Sequence, residues 1–168
     1  MQKVLFIFFI MFRVNAFAGE QSCIEKYSDY IKAKVEWQNN STDLVVKLLP
    51  EHFEFAHMQR DVQLLAIKRR GMAVQLVFKY FSDEISVESK LNQWVSLTPN
   101  LVEKLSKKSI EFQKLTAQYQ QAKSTPLPGK GDAFRQAFRA EVVPSTEFDS
   151  LLKGFNKKVA EIDAQECH

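Results

Sequence analysis

Cys23 and Cys167 are the only cysteines of the chain, and they stand one near each end of it. If they are joined, the last element of the fold must return beside the first, which removes most open architectures. In an oxidising compartment an isolated pair in a secreted domain reads most simply as a disulfide. The rival readings lack residues. Covalent haem attachment needs C-x-x-C-H, and Ala164 stands where the first cysteine belongs. A structural zinc site needs about four ligands, and beside the two cysteines there are only His52, His57 and His168. A lipid anchor on Cys23 needs a small, apolar lipobox, whereas "GEQS" precedes it. His168 is expected to be a solvated terminus.

The oxidising compartment is itself an expectation from the opening residues, MQKVLFIFFIMFRVNAFAGE. Lys3 supplies a basic start, Val4 to Phe12 form an unbroken apolar run, and Ala16-Phe17-Ala18 offers an A-x-A cleavage site. This pattern predicts a secretory signal peptide over residues 1–18 and a mature domain over 19–168, with cleavage after Ala16 as the runner-up. The apolar run is too short to cross a bilayer, and no later stretch is long and apolar enough to do so. The expected location is periplasmic or secreted. Without Lys3 and Arg13 the remainder has 21 basic and 20 acidic side chains. So even a balance argues against nucleic acid as a partner, because neutralising phosphates needs a clear basic excess.

Five glycines, five prolines and apolar residues at three-to-four spacing predict an all-α domain. The first helix is placed at about 22–49, with Ile24, Tyr27, Ile31, Val35, Val45 and Leu49 on one stripe. Pro50 interrupts it, as a tight turn or as a kink. The second helix, about 51–81, carries Phe55, Val62, Leu65, Met72, Leu76 and Tyr80, and a second strip at Leu64, Ile67, Val74 and Phe78. So broad an apolar surface predicts a central helix with several neighbours. A connection over 82–98 should hold a short amphipathic helix with Leu91, Trp94 and Val95 inward. Thr98 and Pro99 form an N-cap and first-turn pair for a third helix over about 99–123, burying Leu101, Leu105, Phe112, Leu115 and Tyr119.

The stretch STPLPGKG, 124–131, reads as a loop. Asp132 is expected to cap a short helix carrying Phe134 and Phe138, which must stop before Pro144. Ser145 caps the last helix, striped by Phe148, Leu151, Leu152, Phe155, Val159 and Ile162. The sum is an antiparallel bundle of about four main helices with short connecting helices. Four up-and-down helices bring the two cysteines together, so the helix count and the staple support one another.

Catalytic patterns are thin. Glu54 and His57 make one E-x-x-H, but di-iron bundles use two such motifs with two further glutamates. Met58 beside His57 points about 100° away on a helix, so the two cannot serve as one pair of haem ligands. No G-x-S-x-G or H-E-x-x-H occurs, and GKGD at 129–132 lacks the first glycine of a phosphate loop. Asn39-Asn40-Ser41-Thr42 holds overlapping N-x-S/T sequons in the middle of a helix, where glycosylation is not expected.

Arg69 is the most informative polar residue, since it falls in register with the Val62, Leu65, Met72, Leu76 stripe. With a hairpin at Pro50 it should lie opposite Ile31, near Tyr27, Asp29 and Tyr30, while Lys68 and Arg70 turn outward. It is then either a half-buried structural arginine paired to Asp29 or a tyrosine hydroxyl, or a member of an anion or carboxylate pocket with Arg135 and Arg139. Those two, four residues apart, make a basic ridge beside Phe134 and Phe138 on a helix suited to docking or to plugging the bundle end. Leu97-Thr98-Pro99 opening a basic helix resembles the L-T-x-x-Q motif of the small helical periplasmic stress chaperones of the Spy type. The match covers three residues, Leu101 replaces the glutamine, and no functional residue is carried over.

These readings favour a protein that acts by binding another protein, as an accessory, inhibitor or chaperone, with Arg69, Trp94, Arg135 and Arg139 as candidate binding residues. No cofactor or metal is called for. The alternatives are a carrier of a small apolar ligand such as haem or lipid, and an enzyme with an unfamiliar site at Arg69.

Overall fold

The computed structural model describes residues 4–125 and 131–167, with side chains from Gly19 onward. Helix α1 spans Val4–Leu48, α2 Phe53–Tyr80, α3 Pro99–Lys108, α4 Ile110–Ser124, α5 Gly131–Ala137 and α6 Thr146–Asp163. Among the described residues there is no strand and no helix long and apolar enough to cross a membrane. The side chains of the proposed leader, residues 126–130 of the proline-glycine loop, and His168 lie outside the described set.

Pro50 marks a tight turn. Its ring fixes the backbone for a single 3-10 turn, Pro50–His52, between α1 and α2, and the two helices pack antiparallel. Gly71 brings them close. A Cβ there would stand 3.3 Å from Ile31 Cγ1, tighter than ordinary contact. Thus Gly71, and not Arg69, faces Ile31. Helix α2 is central as expected, with α1 on one side and α3 and α4 on another. Its buried residues are Phe55, Ala56, Ile67, Ala73, Val74 and Val77, while Tyr80, placed inward by periodicity, is exposed.

The expected third helix is two. Ser109 adopts an extended conformation, φ −145° and ψ 113°, ending α3, and its Oγ accepts from the Phe112 amide to start α4. The bend leaves the register intact. Tyr80 meets Lys108 on α3 and Arg69 meets Tyr119 on α4, pairs whose residue numbers both add to 188. Thr98 and Ser145 cap as expected, accepting from Leu101 and Phe148 amides. Asp132 does not cap; α5 already includes Gly131, and Asp132 pairs with Arg135 one turn on. Helix α5 then widens into one π-helical turn, Phe138–Val142.

The connection over 82–98 holds two 3-10 turns, Ser82–Glu84 and Leu91–Gln93, and no α-helix. Its inward residues are nevertheless those expected: Leu91, Trp94 and Val95 are buried. Trp94 stacks on Tyr27 at 5.3 Å, meets Phe78 edge-on, and donates its Nε1 to the Ser89 carbonyl. Arg70 pins this connection. It donates to the Asn92 and Val95 carbonyls and therefore does not turn to solvent as expected.

Helix α6 closes the bundle along α1. Cys23–Cys167, Trp37–Phe155, Glu36–Lys158 and Lys47–Glu147 keep residue numbers that add to between 190 and 194, one antiparallel register over the length of α6. The disulfide is formed, with its Cα atoms 4.8 Å apart. Beside it the buried Lys26 donates to the Asp163 and Gln165 carbonyls, 2.9 and 2.6 Å, setting a cation on the negative end of α6.

Burial pushes the Tyr27 phenol far above its ordinary value of 10, against the opposing effect of Arg70, and raises Tyr30 in the same way. A phenol that stays neutral in the fold and ionises in the unfolded chain contributes stability that is intact below pH 10. Above that value the contribution is lost by up to about 1.4 kcal/mol per pH unit, until the folded group ionises as well. Urea midpoints measured from pH 9 to 11 should fall, and Tyr27→Phe should flatten the fall. Equal slopes in both proteins would contradict the burial of this phenol.

Candidate binding surface

Where α1 leaves the hairpin it is flanked by α6 on one side and by α5 with its π-turn on another, and aromatic rings fill the junction. Trp37 stacks on Phe155 at 5.1 Å and tilts against Phe148 at 5.9 Å. Phe148 meets Phe138 edge-on, Phe138 meets Phe134, and Phe134 packs on Phe55 and the edge of His52. The chain of rings is held from below by Val45, Leu49, Ala56 and Val142, all buried.

The rings do not close over. A cleft of about 240 Å³ opens between Trp37, Val45, Ala56, Phe134, Phe138 and Phe148, rimmed by Gln38, Ser41, Thr42 and Gln59. A second, of about 260 Å³, lies across Trp37 between α1 and α6, beside Asn40, Leu151, Gly154 and the Glu36–Lys158 pair. Trp37 is the wall they share. The first rim has no charged residue, so a guest there would meet rings and neutral hydrogen-bonding groups. Gly154 widens the second, since nothing lies within 4 Å of where its Cβ would stand.

The residues singled out by sequence fall in three separate places. Trp94 is 1 % exposed and belongs to the core, so it presents no surface. Arg135 and Arg139 are exposed on α5 and its π-turn next to the first cleft, with Arg135 paired to Asp132. Arg69 is not with them. Phe55, which α5 covers, precedes it by fourteen residues on α2, roughly 21 Å of helix. Nor does it reach Asp29, which pairs with Lys32. Its guanidinium lies 4.9 Å over the Tyr119 ring of α4, and burial destabilises its charge, an effect that Tyr119 opposes and Arg70 reinforces.

Trp37 is a cleft residue that a single apolar stripe on α1 does not pick out. Tyr30, Ala33 and Trp37 have helical spacing, and a second stripe on α1 was the available signal. His52 is buried, with Nε2 3.6 Å from Glu51 and Nδ1 without a hydrogen-bond partner. Among the described residues no three His, Cys, Asp or Glu side chains converge on a metal position. His57 packs against the exposed Phe53 at 4.3 Å. No protein-family model, curated protein or solved structure matches the chain.

Proposed function

We propose that the protein is exported, matures at Gly19, and acts by binding another protein, seating apolar side chains of that partner in the two clefts beside Trp37. The observation that carries this reading is the open aromatic cleft formed by Trp37, Phe134, Phe138 and Phe148. Rings grouped around a depression, with charge kept out of its floor, are the arrangement from which interfaces draw most of their energy. Outside this uncharged rim, the exposed Arg135 and Arg139, next in sequence to Phe134 and Phe138, offer a partner polar contacts. Export is supported by the opening sequence, and the disulfide is compatible with an extracytoplasmic setting.

The carrier reading is weaker on volume. Pockets that enclose a small molecule run from about 300 to 1,000 Å³, and each of these clefts is smaller and open at the surface. A partner side chain fits that space better than haem or a lipid does.

The test is photo-crosslinking in the native host. A benzophenone side chain at Gln59, on the cleft rim, should trap one discrete heteromer, and the same group at the exposed Gln118 on α4 should not. Against the trapped partner, Gln59→Glu should weaken binding about tenfold, some 1.4 kcal/mol, by placing an unpaired charge in the interface. Stability should stay within about 0.5 kcal/mol of the wild type, as for most surface changes. Equal trapping from both positions, or affinity unmoved by the charge, would remove the cleft as the interface.

A further inference from the structure

The seam between α2 and α4 carries a cation that the fold does not neutralise. Arg69 has its Nε buried with no hydrogen-bond partner, and no carboxylate among the described residues lies within ion-pair distance of it. Leaving a half-buried guanidinium in this state is costly, because desolvation is normally offset by a paired acceptor. One turn before Tyr119 on the same helix, the Thr116 hydroxyl is also buried without a partner. Two polar groups on facing helices are thus desolvated and unanswered at one seam.

The surrounding sequence keeps anions away. From Val62 to Ser82 the chain contains Lys68, Arg69, Arg70 and Lys79 and no aspartate or glutamate. From Phe112 to Thr125 it contains Lys114 and Lys123 and again no acid. Neither of the two stretches that meet at Arg69 therefore carries an acid to pair with it.

We propose that the α2–α4 seam at Arg69 is an oxyanion site, where the guanidinium, held over the Tyr119 ring, takes a carboxylate or phosphoryl group through its fork. Contact with the ring steadies the guanidinium, and its Nε has no acceptor in the fold. An arginine can bind such groups in bidentate fashion, as a lysine does not. The Thr116 hydroxyl supplies a further donor from α4. The site is separate from the clefts and does not depend on the partner-binding reading.

The experiment is a titration of the full exported protein followed by the arginine Nε–Hε resonances, with sodium phosphate in one arm and sodium acetate in the other. Ionic strength is held constant with chloride, so that general screening does not change. The Arg69 resonance should shift and saturate in the millimolar range in at least one arm. Arg69→Lys should weaken binding of that anion about tenfold, the loss expected when the fork is replaced by a point charge. Saturation by phosphate alone identifies a phosphoryl source, and by acetate a carboxylate source. A shift that stays linear to about 0.1 M in both arms, or one no larger at Arg69 than at Arg70, overturns the proposal.

Discussion

Replacing Cys23 and Cys167 together with serine is expected to lower the free energy of unfolding by about 5 kcal/mol, because the bond closes a loop of 144 residues. The chain-entropy relation grows only slowly with loop length, yet at this length it reaches the upper end of what one disulfide contributes. Against a total stability of about 5–15 kcal/mol, such a loss leaves a marginal fold. Urea unfolding of the oxidised wild type and the double variant measures it. The native contacts beside the bond should survive in the variant at low temperature, since Lys26 still ties α1 to the end of α6. A loss under about 1 kcal/mol would mean that the unfolded chain keeps its ends together without the bond.

The second large effect is expected at Trp94. This side chain is 1 % exposed, lies against Tyr27 and Phe78, and anchors the 82–98 connection through its bond to Ser89. Trp94→Ala removes its packing and leaves a cavity, at a cost of about 3–5 kcal/mol. Trp94→Phe keeps a ring and forfeits the Nε1 donor, leaving the Ser89 carbonyl without that bond and costing roughly 1–3 kcal/mol. The order alanine below phenylalanine below wild type in urea midpoint is the check. If alanine and phenylalanine fell together, the hydrogen bond rather than the packing would hold this connection.

What the sequence disclosed follows from which physical signals are local. The caps at Thr98 and Ser145 are local chemistry, and two cysteines allow one intrachain pairing, so all three stand as read. The break at Ser109 was hidden because Leu101, Leu105, Phe112 and Leu115 keep helical spacing straight through it, and the register of α3 and α4 against α2 continues across the bend. Periodicity reports which residues face inward and is silent on a kink that preserves phase.

Arg69 and Arg70 show the complementary limit. Adjacent helical residues point about 100° apart, so a modest rotation of α2 between its neighbours exchanges which of them meets α1. Arg70 sits by the Tyr27 side and bonds the connection, while Arg69 turns to Tyr119. Trp37 was missed for a related reason. Helix α1 packs on both α2 and α6, and a single-stripe reading of it recovers the first neighbour and omits the second. The cleft combines α1, α2, α5 and α6, so no one segment of sequence displays it.

The central claim, that this bundle acts by holding a partner at the clefts beside Trp37, is tested most directly by native mass spectrometry of the protein isolated from the extracytoplasmic fraction of its own host. The account predicts the mass of residues 19–168 less two hydrogens, together with a discrete heteromeric complex that Gln59→Glu depletes. The bare protein accompanied only by a small bound molecule, with no heteromer, would contradict it.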